Sequence, residues 1–254
     1  MNELAGRTIL VTGASKGIGA AIVRALGEQG ASVVAHYGSD EAGARNATAG
    51  IPDGRKLLVR ADLADPEASV RLWADTLAWR GSIDVLVNNA AIMLETPLDG
   101  ADGDWNDAWE RTLRVNLLAP ARLSREAVGH FRERGGGTLI TLSSWAAQRG
   151  AGNANLVAYA ASKAAVKAMA QTIARNFAAE GILSYVVAPG VVRTRMSEQA
   201  AAARGGDEAI TPTLAMGEWV PPEDVAGLVA YLATGRVRHL TGATLDVNGA
   251  SYIR

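Results

Sequence analysis

Tyr159 and Lys163 stand four residues apart in Tyr159-Ala160-Ala161-Ser162-Lys163, 15 residues beyond the serine pair Ser143-Ser144. Residues at that spacing share a face of an α-helix, so the segment predicts a phenol beside an ammonium. A nearby positive charge favours the phenolate and draws the phenol pKa down from about 10. A phenol tuned in that way can exchange a proton with an alcohol or a carbonyl. The pair alone is a moderate signal, because five tyrosines in 254 residues can meet a lysine at this spacing by accident. Read in isolation, Lys163 is one more solvated charge beside Lys167, and the surrounding elements have to decide.

Those elements begin at the N-terminus. Arg7 to Val11 reads as a short buried strand and runs into Thr12-Gly13-Ala14-Ser15-Lys16-Gly17-Ile18-Gly19. A helix follows, with Ile18, Ala21, Ile22, Ala25 and Leu26 at helical spacing and Gly30 as its stop. Strand, glycine turn and helix are half of a nucleotide-binding unit: Gly13 permits a tight turn, Gly17 lets backbone N–H groups approach phosphate, and Gly19 lets helix and strand pack closely. Further strands are expected at 32–37, 56–60, 83–87, 138–142, 183–187 and 244–247, with helical patterns between most of them. Seven short apolar strands alternating with helices predict an α/β fold: a doubly wound, mostly parallel sheet in one domain spanning residues 1–254. Ligands bind such sheets beyond the carboxyl ends of the strands. Gly13, Asp62, Asn88-Asn89, Ser144 and Pro189-Gly190 all fall just past such ends and should converge on one edge.

The ordered set Thr12-Gly13 through Gly19, Asp62-Leu63, Asn88-Asn89-Ala90-Ala91, Asn116, Ser144, Tyr159 with Lys163, and Pro189-Gly190 with Thr194 resembles the short-chain dehydrogenase/reductase family. Within it, the chain is similar to the single-domain branch of the 3-oxoacyl-carrier-protein reductases, over nearly its whole length. The resemblance implies an oxidoreductase that interconverts a carbonyl and a secondary alcohol by hydride transfer at C4 of a nicotinamide. It implies Tyr159 as the proton carrier, Ser144 as the group that polarises the substrate oxygen, and Lys163 as the cation that tunes Tyr159 and binds the nicotinamide ribose. Asn116 would hold a water linking Lys163 to solvent. Competing readings exist for each: Ser143 could be the serine facing the substrate, and Asn116 an ordinary helix-kink residue. Implied cofactor contacts are Gly13, Ser15, Lys16, Gly17, Ile18, Gly19, His36, Tyr37, Gly38, Ser39, Asp62, Leu63, Asn89, Ala90, Ala91, Tyr159, Lys163, Pro189, Gly190, Val192 and Thr194. Asp62 could equally cap the helix that starts near Pro66. Ala91 replaces the family's usual glycine, which matters only if the backbone there needs a positive φ.

NAD-using relatives commonly place an acid at the end of the second strand, where this chain has His36-Tyr37-Gly38-Ser39. The missing acid and the positive charge of Lys16 favour NADP(H) over NAD(H), unless Asp40 swings back to a ribose hydroxyl. Residues 194–219 resemble the family's mobile substrate lid. Met93, Leu94, Trp145, Ala188, Met196 and Trp219 could line an apolar pocket or belong to the core. The helical stretches 105–134 and 154–180 resemble faces through which relatives form homotetramers. A non-enzymatic NADP(H)-binding sensor on the same fold is the alternative reading, and retention of both Tyr159 and Lys163 argues against it. An epimerase would need a longer C-terminal substrate domain.

Composition points the same way. No cysteine means no disulfide framework, which fits a cytoplasmic enzyme. A net charge of −1 with no basic block gives no reason to expect nucleic acid. No apolar run approaches the ~18 residues of a membrane span and no signal segment precedes the first strand. Three scattered histidines offer no metal site. The partner expected is a small-molecule carbonyl or alcohol.

Overall fold

In the computed structural model, which describes residues 2–202 and 204–253, seven strands form one sheet in the order β3-β2-β1-β4-β5-β6-β7. They are β1 (Thr8–Val11), β2 (Ser32–Tyr37), β3 (Lys56–Arg60), β4 (Val85–Asn88), β5 (Gly137–Leu142), β6 (Ile182–Pro189) and β7 (Thr244–Val247). Every neighbouring pair is parallel. The helices are α1 (Gly17–Glu28), α2 (Glu41–Ala47), α3 (Pro66–Arg80), α4 (Asp102–Leu113), α5 (Ala119–Glu133), α6 (Ala146–Arg149), α7 (Val157–Phe177), α8 (Arg195–Ala202), α9 (Gly206–Ile210) and α10 (Pro222–Ala233).

The strands are apolar on both faces because helices cover both, and alternation sorts their side chains into two cores. Ile9 and Val11 of β1, Val33 and Ala35 of β2, and Val85 and Val87 of β4 pack with α1 and α10. Leu10, Val34 and Leu86, one residue out of phase, pack on the opposite face with Leu72 of α3 and Leu123 of α5. The order reverses between β1 and β4, and the crevice at such a switch point is where doubly wound sheets take their ligands.

Strands β2, β3 and β7 have the boundaries that the sequence pattern predicts. Strand β4 starts two residues later than expected, at Val85, and the backbone N–H of Ile83 is donated to His130 Nε2 (3.1 Å). Gly30 has φ +89° and ends the α1 turn as expected. Between α4 and α5, residues Arg114–Leu118 form a π-helical turn, so the helix expected from 105 to 134 is continuous but locally widened.

Candidate active site

Beyond the carboxyl ends of the strands lies a cleft of about 960 Å³. Of the expected cofactor contacts, all but Tyr37 line it; of the expected catalytic residues, Ser144, Tyr159 and Lys163 line it and Asn116 does not. Strand alternation explains Tyr37: His36 faces the cleft, so its successor turns away, and burial, reinforced by the nearby Glu41 carboxylate, raises the Tyr37 pKa.

The glycine turn is held from two sides. Asn89 Nδ2 donates to the carbonyls of Thr12 (2.8 Å) and Gly13 (3.1 Å), and Thr12 Oγ1 accepts the backbone N–H groups of Asn89 and Ala90, both at 3.0 Å. A side chain at Gly19 would meet the Gly13 carbonyl and would come within 2.6 Å of Asn89 Nδ2. Gly13 and Gly17 have φ +69° and +54°, conformations that favour glycine. Lys16 takes the N-cap position of α1 without a side-chain cap, and the first turn carries no acid. The free N–H groups and positive dipole end of α1 therefore face the cleft, an arrangement suited to a pyrophosphate. Ala91 is not among the positive-φ residues, so replacing the usual glycine costs nothing there.

At the end of β2, Asp40 accepts the Gly43 N–H at 2.8 Å and caps α2. One carboxylate oxygen of Asp40 serves that cap, and the residue lines the cleft. Asp62 does not cap α3; Asp65 does, accepting from Glu67 N at 3.0 Å. The Asp62 carboxylate accepts from Ala64 N (3.0 Å) and lines the cleft. Arg60, expected only as the last residue of a strand, lines the same end, with Nε donating to the Gly38 carbonyl at 3.2 Å. The register of β3 on β2, which pairs Arg60 with Tyr37, brings it there.

At the other end, Tyr159 and Lys163 project from α7, and Ser144 from the segment after β5. The two serines separate cleanly. Ser143 Oγ donates to the Lys163 carbonyl (2.8 Å) and ties α7 to β5, whereas Ser144 lines the cleft beside Tyr159, with its Oγ accepting the Ala146 N–H at 3.1 Å. Lys163 is 4% exposed and its Nζ donates to the Leu142 carbonyl at 2.8 Å. Burial pulls its pKa down to about 8. The expectation that Lys163 depresses the phenol pKa is not met in this structure. Burial raises the Tyr159 pKa, the neighbouring Ser144 hydroxyl opposes that rise, and Lys163 Nζ lies 5.9 Å from the ring centroid with a donor spent on Leu142.

Asn116 lies inside the π-helical turn, 1% exposed. Its amide accepts from Ile92 N (2.8 Å) and donates to Ile92 O (2.9 Å) and Ser162 Oγ (3.1 Å). The side chain is thus engaged in bracing the segment after β4 against α7.

The apolar residues left open by the sequence divide. Met93 and Met196 line the cleft. Ala188 is fully buried in β6, and Trp219 belongs to a small core with Ala201 and Leu214, against which Trp145 packs. Trp219 is further held by its Nε1–H to Thr211 Oγ1 (2.9 Å) and by Arg193 over its ring at 5.0 Å. Among the described residues, no His, Cys, Asp and Glu group could hold a metal ion, and no helix is long and apolar enough to cross a membrane.

Residues 13–250 match a family model described as enoyl-(acyl carrier protein) reductase. The chain is 37% identical to 3beta-hydroxysteroid dehydrogenase 1 of Eggerthella lenta, over 98% of this chain and 94% of that one. It superposes with TM-score 0.88 and 34% identity on a structure assigned as an NAD(P) dependent gluconate 5-dehydrogenase from Beutenbergia cavernae with bound NADP, covering 98% of each chain. It superposes with TM-score 0.86 and 26% identity on 3-ketoacyl-(acyl-carrier-protein) reductase from Brucella melitensis complexed with NADH, covering 98% of this chain and 100% of that chain. With the sheet order, the glycine turn and the Ser-Tyr-Lys cluster in place, these likenesses show that the chain belongs to the short-chain dehydrogenase/reductase family of NAD(P)-dependent oxidoreductases.

Proposed function

We propose that this oxidoreductase interconverts a carbonyl and a secondary alcohol with NADP(H) in preference to NAD(H), and that Tyr159 moves the proton. The observation that carries the reading is the convergence of Ser144, Tyr159 and buried Lys163 on one cleft with the uncapped N-terminus of α1. The bound dinucleotide supplies or accepts a hydride at nicotinamide C4. In reduction, Tyr159 gives its hydroxyl proton to the carbonyl oxygen while the carbonyl carbon gains the hydride, leaving a phenolate that is reprotonated from solvent. Ser144 donates to the same oxygen as charge develops on it. A raised phenol pKa keeps Tyr159 protonated at neutral pH, which suits the reducing direction. Lys163 has three N–H donors, one of them given to Leu142, and the others are available to a ribose. The backbone carbonyl of Asn116 would anchor the water that connects Lys163 to solvent.

The NADP(H) preference is supported by three features of the adenosine end: Lys16 and Arg60 line it, Asp40 caps α2, and the end of β2 carries no acid. Gly13 to Gly19 would hold the pyrophosphate, Asp62 and Leu63 the adenine, Asn89 to Ala91 the nicotinamide ribose side, and Pro189, Gly190, Val192 and Thr194 the nicotinamide. Residues 194–219, including α8 and α9, would act as the substrate lid, closing from the Arg193 and Trp219 anchor. The enzyme would work in the cytoplasm as a homotetramer built on the α4, α5 and α7 faces, an assembly that light scattering would report. The reading is tested by a panel of ketones, aldehydes and secondary alcohols followed by nicotinamide absorbance. Turnover of a carbonyl with NADPH faster than with NADH is expected; no turnover of any carbonyl or alcohol with either dinucleotide would contradict it.

A further inference from the structure

His36 is 3% exposed, yet its ring reaches two separate pieces of the cleft. Nδ1 lies 3.0 Å from the Gly13 backbone N, and Nε2 lies 3.1 Å from the Ala61 carbonyl oxygen. A backbone N–H can only donate, so Nδ1 must carry the lone pair; a carbonyl oxygen can only accept, so Nε2 must carry the proton. The two contacts therefore fix one neutral tautomer. Cationic imidazole would set an N–H on Nδ1 against the N–H of Gly13. Burial lowers the His36 pKa accordingly, with the Asp62 carboxylate and the Ala61 hydrogen bond acting in the opposite direction.

We infer that neutral His36 is a positioning residue, a two-ended strut that sets the glycine turn at the distance from the end of β3 that a dinucleotide requires. The His36 backbone carbonyl also accepts the N–H of Ala14 at 2.8 Å. One residue thus takes two consecutive N–H groups of the turn, Gly13 and Ala14, and points them away from the phosphate position. The N–H groups that follow, in the first turn of α1, lack helical partners and stay directed into the cleft. The other end of the strut holds Ala61, whose neighbours Arg60 and Asp62 both line the adenosine end. Pyrophosphate and adenosine subsites are therefore set relative to each other through a single ring. This inference rests on the dinucleotide reading above and adds the element that spaces its two halves.

The test uses the full-length enzyme, NADPH fluorescence and the imidazole nitrogen resonances. In the wild type, the resonance that disappears in the His36 variants should show unprotonated Nδ1 and protonated Nε2 at pH 7, and should stay neutral at pH 6. His36→Asn keeps an acceptor where Nδ1 stands and should bind NADPH within about threefold of wild type. His36→Phe keeps the ring but strands the Gly13 N–H, and should weaken NADPH binding about tenfold, with the KM for NADPH rising by more than kcat falls. Circular dichroism of both variants separates this effect from failure to fold. A protonated Nδ1, or a folded His36→Phe with wild-type NADPH affinity, would overturn the strut. Failure of the wild type itself to bind either dinucleotide would instead overturn the functional reading, and the strut with it.

Discussion

At the Tyr159 end of the cleft the polar side chains are buried: Ser144 and Lys163 are 7% and 4% exposed, and both are hydrogen-bonded within the protein. At the adenosine end the charged side chains, Lys16 and Arg60, are exposed, and the shape is set by backbone groups clamped by Asn89, Thr12 and His36. The difference is one of dielectric. A charge beneath the surface is held in place, desolvated and little affected by salt, so removing it changes chemistry. An exposed cation contributes weakly, is screened, and can tune the choice of dinucleotide without disturbing the fold.

Lys163→Met would break the buried end. Turnover should fall about 100-fold or more, while stability at pH 7 should stay level or rise by up to about 2 kcal/mol. The Lys163 pKa in the folded protein, about 8 against 10.5, means that holding the ammonium costs about 3 kcal/mol at neutral pH. Loss of its hydrogen bond to Leu142 offsets about 1–3 kcal/mol of that. Because the folded pKa is depressed, the cost is in full below pH 8 and fades as the pH rises towards 10.5. Wild type should therefore gain stability relative to Lys163→Met across that window, which denaturant melts at pH 7 and pH 10 would reveal.

Replacing Lys16 and Arg60 together by alanine should have a smaller effect. The ratio of kcat/KM for NADPH to that for NADH should drop about tenfold, with turnover at saturating cofactor little altered. The wild-type ratio should also shrink when salt is raised from ~0.05 to ~0.5 M. A ratio unchanged by both manipulations would place the 2′-phosphate elsewhere and erase the contrast between the two ends.

Much of this was legible in the sequence, because the signals were local or ordered along the chain. Glycine spacing marks the turn after β1, short apolar runs mark the strands, and Tyr159 with Lys163 marks a helix face. Residues whose role depends on the crossing of distant segments were not legible. Arg60 becomes a cleft residue only through the register of β3 on β2. His36 becomes a strut only because Gly13 and Ala61 flank it in space. Asn116 reads equally well as a kink or as a relay until its amide is seen on Ile92 and Ser162. Spacing gives the proximity of Tyr159 to Lys163 but not their burial, and burial is the larger influence on the phenol.

The assignment of Tyr159 as the proton donor is tested most directly by single-turnover hydride transfer in Tyr159→Phe, with NADPH already bound and a carbonyl substrate added. The account predicts a rate at least 100-fold below wild type, with NADPH affinity within about twofold of wild type. Hydride transfer at the wild-type rate in that variant would contradict it.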